Sequence, residues 1–458
     1  MCAFARQMAE RMKAVAAAGA VAAFWLAVWV FAAALVAQPL ILPGPGAVVV
    51  ALLRLVCDVG TWAILAGSGA RILGGLALAA VCGGVLAGVS ARSRTFARLV
   101  APALSFVKAT PVACVVVLLL IWLGSARVSI AAVFLMALPG VYFSLVEGLT
   151  QVDKPLEQMF RLHGVRGWRL FCAHTWREVL PFVLSSARAV IGMSWKAGVA
   201  AELIGMAAGT VGERIYQAKL LIETADLLAW TVLVVAASWA CERVLVWLLR
   251  VSGPVAWRAA VRAHGHGLRG RTGAASDGAA AELALAVGDR APWSPALDGL
   301  VLHVPAGGRT CVMGASGVGK STLLALVAGE CAPCSMVFQD VRLVEDASAL
   351  DNVLVCADAR VNASSAAALL RLLVPGIDVH ARVAELSGGQ RRRVEIARAL
   401  LCPGGAVILD EPFTGLDIAA RDACTEVVLD LLDGRMLLLA THDSADARAL
   451  NISDIITL

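Results

Sequence analysis

The stretch GASGVGKS, residues 314–321, fits G-x-x-x-x-G-K-[ST], the phosphate-binding loop. RTCVM (309–313) precedes it and reads as a buried strand; TLLALVA (322–328) follows and reads as a helix. That strand–loop–helix order is the context the motif requires. In such a loop the backbone of Gly314, Ala315, Ser316, Gly317, Val318 and Gly319 can turn successive N–H groups toward one anion. The helix that starts at Lys320, Ser321 and Thr322 adds its positive dipole end. Lys320 can reach the β- and γ-phosphates, and Ser321 can hold Mg2+. The alternative is a glycine-rich turn that binds nothing.

Three later motifs narrow the reading. LSGGQ (386–390) runs into RRRVEIARALL, where Val394, Ala397 and Leu401 recur at helical spacing. Ser387, Gly388, Gly389 and Gln390 therefore sit just before a helix N-terminus and form a second candidate anion site. AVIL (406–409) reads as a buried strand ending in Asp410 and Glu411. A carboxylate there can face the Mg2+ of the phosphate loop, and the next can orient water. MLLLA (436–440) is a further strand, ending at Thr441 and His442. In this order the motifs resemble the ATPase subunits of ABC transporters, whose signature sequence is LSGGQ.

The chain has 458 residues, 59% hydrophobic and only 16% charged, which excludes an ordinary soluble protein and places much of it in lipid. A net charge of +5 gives no support to a nucleic-acid partner. Of the twelve cysteines, many lie in apolar runs and act as small hydrophobes. Cys331 and Cys334 form a C-x-x-C without a second pair nearby; it reads as two reduced thiols, against a metal or redox role.

Six spans are expected, at 14–37, 72–90, 99–123, 128–146, 182–208 and 227–249. The first follows Arg6, Arg11 and Lys13; it is too long for a signal peptide and reads as a retained helix. With the N-terminus in the cytoplasm, the segments 1–13, 91–98, 147–181 and beyond 250 carry most of the arginines, which satisfies the positive-inside rule and puts both termini in the cytoplasm. The expected organisation is an all-α six-helix transmembrane domain (1–250), a linker (251–281) and an α/β P-loop NTPase domain (282–458). His264 and His266 fall in the linker and read as solvated residues rather than metal ligands.

The loop 151–181 is too polar to cross lipid and too apolar for a free linker. It reads as two short amphipathic helices broken at Gly164 and Gly167, docking on the ATPase or lying in the membrane interface. It resembles the coupling loop of bacterial importer permeases, with Gly164 as the motif glycine and Leu180-Pro181 as its end. LPGPGAVV, RILGGLALAAVCGGVLAG and AGVAAELIG extend that resemblance to permeases of the nitrate/sulfonate/taurine group, which includes importers of thiamine-precursor pyrimidines. Lys196 and Glu202 lie within the fifth expected span. They read either as a lining of the substrate passage or as an internal ion pair.

The resemblance implies two ATPase domains enclosing two ATP molecules, each between the phosphate loop of one copy and the LSGGQ of the other. It implies Mg2+ held by Ser321, Asp410 and Gln339, with Glu411 polarising the attacking water and His442 contacting the γ-phosphate. By the same resemblance Gln339, after SMVF, is expected to sense the nucleotide and face the coupling loop. One permease and one ATPase make half a transporter. A homodimer, or a pairing with a related half, is therefore expected in a bacterial cytoplasmic membrane, with a separate extracytoplasmic solute-binding protein. The expected function is ATP-driven import of a small anion or organic solute. The alternatives are a regulatory or structural membrane protein with an impaired ATPase, or an exporter. Only about 18 residues separate Lys320 from Gln339, so the β-rich lobe beside the adenine is shortened. Trp293 is a candidate to stack on the base, or else a hydrophobic loop anchor.

Overall fold

Two compact units emerge from the contacts within the chain: Met1–Thr150 with Val179–Arg250, and Gln151–Glu178 with Val251–Leu458. The computed structural model describes residues 2–263, 283–286, 297, 300–315 and 317–458.

The first unit is helical. It comprises α1 (Cys2–Val36), α2 (Pro45–Cys57), α3 (Val59–Arg92), α4 (Arg94–Ala109), α5 (Val112–Leu123) and α6 (Ser125–Thr150). After the second unit's α7 (Lys154–Leu162) and α8 (Gly167–Leu170), it resumes at Val179 within α9 (Trp176–Gly205) and continues through α10 (Val211–Leu220) and α11 (Thr224–Arg262) as far as Arg250, where the second unit takes over. Asp58 starts α3 by accepting from the Gly60 N–H at 3.1 Å, and Ser93 starts α4 by accepting from Phe96 at 3.3 Å. Small residues let the helices approach closely. A methyl group on Gly75 would lie 2.6 Å from the Ile130 carbonyl oxygen, and one on Gly198 would lie 2.5 Å from Ile72 Cγ1 and 3.0 Å from Val133 Cγ2.

The expected six spans are modified. Among the described residues four helices, α1, α3, α6 and α11, are long and apolar enough to cross a membrane. The expected span at 99–123 is instead α4 and α5, bent by 103° at Thr110–Pro111. Proline lacks an N–H and forces the preceding residue out of the helical region, so a straight helix cannot pass that point. The span expected at 182–208 falls on α9, whose Arg188, Lys196 and Glu202 keep it out of the apolar class.

In the second unit the sheet is built from β3 (Arg309–Met313), β4 (Ser335–Val337), β5 (Ala406–Asp410), β6 (Met436–Thr441) and β7 (Asp454–Thr457), all parallel, in the order β4-β5-β6-β3-β7. Every residue of β5 and β6 is buried, as continuous apolar runs in a parallel sheet require. An antiparallel pair, β1 (Leu283–Ala286) and β2 (Val301–Val304), lies apart from this sheet. The helices are α12 (Lys320–Glu330), α13 (Ala349–Leu354), α14 (Ala363–Leu373), α15 (Gly388–Leu401), α16 (Ile418–Leu431) and α17 (Ser444–Ala449).

Two boundaries differ from the sequence reading. Residues 251–262, expected as linker, continue α11, with Trp257 and Ala260 buried and the Trp257 indole donating to Asp351 at 3.2 Å. Trp257, Ala260 and Val261 share one helical face, and that short apolar stripe went unread. The rest of the linker, with His264 and His266, lies outside the described residues. The loop 151–178 groups with the sheet and helices of the second unit: Met159 and Phe160 of α7 share a core with Leu324 and Val327 of α12 and Met336 of β4. The chain turns after α7 at Gly164 (φ 79°) and enters α8 at Gly167 (φ 57°).

Candidate functional site

Because the five strands are parallel, the segments that leave β3, β4, β5 and β6 emerge at one edge of the sheet. They carry the loop from Gly314, the bend at Gln339, the Asp410–Glu411 pair and His442. Gly314, Ala315, Gly317, Val318 and Gly319 form the loop between β3 and α12; Ser316 lies outside the described residues. A side chain at Gly314 would meet Val318 Cγ1 at 2.9 Å and the Leu458 carbonyl oxygen at 3.0 Å. Gly319 takes φ 117°, which other residues rarely adopt, and turns the backbone into α12. Lys320 is nearly buried, and its ammonium donates to the loop's own carbonyls, Gly314 at 2.7 Å and Ala315 at 3.2 Å.

Ser321, in the first turn of α12, lies near enough to the Asp410 carboxylate at the end of β5 to favour its charged form. Burial pushes the Asp410 pKa up, while the Ser321 hydroxyl and the charges of Arg392 and Lys320 pull it back. Hydroxyl plus carboxylate is a donor set of the kind Mg2+ takes. Glu411 has a left-handed backbone (φ 46°), and its carboxylate meets His442 Nδ1 at 3.2 Å. Gln339 is exposed, just past the end of β4.

The signature residues open α15. Ser387 accepts from the Gln390 N–H at 3.3 Å, and the Gln390 side chain accepts from the Ser387 N–H at 2.9 Å, a reciprocal cap. Gly388 and Gly389 form the first turn behind it. Among the described residues no hydrogen bond joins 387–390 to the loop or to Lys320–Thr322. Trp293 lies outside the described residues.

Sequence reasoning missed Arg392. Buried in α15, its guanidinium donates to the carbonyls of Asp410 at 2.8 Å, Glu411 at 2.6 Å, Pro412 at 3.0 Å and Phe338, and pairs with Glu395 at 2.9 Å. Arg398 also pairs with Glu395, at 3.3 Å. Burial raises the Glu395 pKa; Arg398 and Arg392 draw it back down. The signal was present as charges recurring every third residue (392, 395, 398) on a helix with apolar neighbours.

A phosphate loop entering a helix, a hydroxyl–carboxylate pair beside it and a parallel five-stranded sheet define a P-loop NTPase. Residues 80–255 match the model of the binding-protein-dependent transport system inner membrane component, and residues 297–414 match that of the ABC transporter. The chain is 37% identical over 175 residues to the aliphatic sulfonates import ATP-binding protein SsuB 1 of Rhizobium johnstonii, covering 33% of this chain and 64% of that protein. It is 36% identical over 176 residues to the aliphatic sulfonates import ATP-binding protein SsuB of Escherichia coli K12, covering 34% and 68%. The chain thus spans about two thirds of these curated relatives. A solved ATP-binding cassette, dimeric and in a post-hydrolysis state with ADP and Pi, is 25% identical, with 36% of this chain and 86% of that one covered and a TM-score of 0.33. The chain belongs to the ABC transporter family, with a helical permease region followed by an ABC ATPase domain.

Proposed function

We propose that the chain is a fused half-transporter that uses ATP to import a small anion, of the sulfonate class named for its relatives, across the bacterial cytoplasmic membrane. One observation carries this reading. The phosphate loop, Asp410, Glu411 and His442 meet at one sheet edge in a chain whose other half matches a binding-protein-dependent permease. Lys320 would exchange its loop carbonyls for the β- and γ-phosphates. Ser321 and Asp410, with Gln339 beside them, would hold Mg2+, which supplies charge neutralisation at the phosphates. Glu411 would orient the attacking water, steadied by His442. The phosphate-side groups do not depend on Trp293.

Two copies complete the machine, each lending Ser387, Gly388, Gly389 and Gln390 to the nucleotide of the other. Among the described residues the N–H groups that open α15 make no hydrogen bond with the phosphate loop of their own chain, so a second copy would give them a ligand. An extracytoplasmic solute-binding protein delivers the cargo, and both termini lie in the cytoplasm, as the arginine distribution favours. The test is ATP turnover by the full chain in nanodiscs. The wild type is expected to hydrolyse MgATP, and Glu411→Gln to lose about a hundredfold or more while still binding it. A wild type without turnover, or an unimpaired Glu411→Gln, overturns the reading.

A further inference from the structure

Of the two charges in the later half of α9, Glu202 is accounted for inside the bundle. It is fully buried; the Ser68 hydroxyl donates to it at 2.8 Å, Arg71 Nε at 3.0 Å and the Gly212 N–H at 3.4 Å. Lys196 is therefore not its partner. Lys196 is exposed, and among the described residues no carboxylate lies within ion-pair distance of it. The other cation in this part of α9, Arg188, pairs with Glu242 at 3.5 Å.

The depth of Lys196 follows from its neighbours. A methyl group on Gly69 of α3 would touch the Trp195 ring at 3.7 Å, and Gly198 abuts Ile72 of α3 and Val133 of α6. Lys196 thus lies level with Gly69–Ile72, about 15 Å along α3 from Val59 at 1.5 Å per residue. α3 and α6 are both long and apolar enough to span. An ammonium at that level does not face hydrocarbon; it faces protein or water. Its own bundle does not enclose it. The residues that share its face at helical spacing, Ala189, Gly192, Met193 and Ala200, include no acid, and a methyl group on Gly192 would meet nothing within 4 Å.

We propose that Lys196 lines the aqueous passage of the permease and holds the anionic group of a small organic anion in transit. The proposal rests on the importer reading above and names the cargo-binding group within it. A single ammonium without a fixed geometry attracts a sulfonate or carboxylate by charge, offers nothing to a neutral solute and repels a cation. It binds weakly enough to let the anion leave, which conduction requires.

The experiment labels amines of the full chain in zwitterionic-lipid nanodiscs with a water-soluble acetylating ester and reads Lys196 by peptide mass spectrometry, with exposed Lys154 as internal control. Lys196 is expected to be acetylated. Ethanesulfonate is expected to slow that labelling about tenfold at ten times its Kd, as competition at one site dictates, while uncharged ethyl methyl sulfone has no effect. In thermal unfolding, ethanesulfonate is expected to raise the transition of wild type and Lys196→Arg, but not of Lys196→Gln. The proposal is overturned if Lys196 resists labelling while Lys154 reacts, if the sulfone protects equally, or if Lys196→Gln keeps the ethanesulfonate shift. Protection by anionic lipid in place of ethanesulfonate also overturns it, because the group held would then be a headgroup. These readouts do not use ATP turnover, so they fail or succeed separately from the test of the importer reading.

Discussion

Acid should loosen the contact of the 151–178 loop with the ATPase sheet, through His163. Its ring is buried, with Nε2 placed to accept the Met336 N–H at 3.1 Å and Nδ1 3.1 Å from Met159 Sδ. The Leu162 carbonyl next to it accepts the Cys334 N–H at 3.0 Å. β4 is an edge strand, and these bonds satisfy N–H groups that would otherwise stand open. Burial, reinforced by the charge of Arg398, pushes the His163 pKa from 6.5 down to about 3. The folded state therefore needs neutral His163, while the unfolded chain protonates near 6.5. The stability this gives is complete above pH 6.5 and is lost progressively as pH falls from 6.5 toward 3. At pH 5 the loss relative to pH 7 is about 2 kcal/mol from the two pKa values. For a unit of this size that lowers the melting temperature by about 4–8 °C.

The assay is thermal unfolding in detergent at pH 7 and pH 5, comparing wild type with His163→Gln. Glutamine can still accept the Met336 N–H but does not titrate in this range. Other groups titrate in both proteins, so the informative quantity is the difference between their acid shifts. The wild type is expected to lose those additional degrees. If the two proteins fall in parallel, protonation of His163 is not what acid does to this seam.

The same packing makes three further predictions. Gly198→Ala places a methyl group 2.5 Å from Ile72 Cγ1 and should destabilise the helical unit by about 1–3 kcal/mol, read as a lower melting temperature. The fragment 251–458 should aggregate on expression, because α12 and β4 would expose the face that Met159 and Phe160 cover; linking 151–178 to it should recover soluble material. Glu395→Ala leaves two buried guanidinium groups unpaired and should cost about 3–5 kcal/mol, whereas Arg392→Gln combined with Glu395→Ala should cost less than the single change. Melting temperatures of the set decide the sign of that coupling.

The cassette was legible because its strands are short apolar runs ended by chemistry: RTCVM before the glycines, AVIL before Asp410, MLLLA before Thr441. Each pattern is local, and each sits on the strand it suggested. The membrane half was read less well. Hydropathy registers apolar length but not direction, so the bend between α4 and α5 was hidden inside one apolar run, although Pro111 marked it. α9 is the converse case, a long helix whose charges are tolerated because Glu202 meets Arg71 from a distant part of the sequence. No local pattern carries such a pairing. Trp257 and Arg392 did leave local traces, an apolar stripe and charges at every third residue, but what the buried indole and guanidinium hold is explained only by Asp351 and by the carbonyls after β5.

Within the second unit these long-range contacts form one connected path. The Arg342 guanidinium donates to the Pro155 carbonyl of α7 at 3.2 Å, and its backbone N–H donates to Glu395 at 3.2 Å. Glu395 holds Arg392, and Arg392 holds the carbonyls of Asp410 and Glu411 on one side and of Phe338, just before Gln339, on the other. A displacement of α7 therefore meets the nucleotide side through an exposed hydrogen bond of Arg342 at the loop and the buried Glu395–Arg392 ion pair beyond it. His163 grips β4 two residues before Phe338, so the loop reaches the Gln339 bend by a second route along the strand itself. Physical connection of this kind is necessary for coupling but not sufficient, since energy is transmitted only by an element with two arrangements. The bend at Gln339 is exposed and lies where both routes arrive.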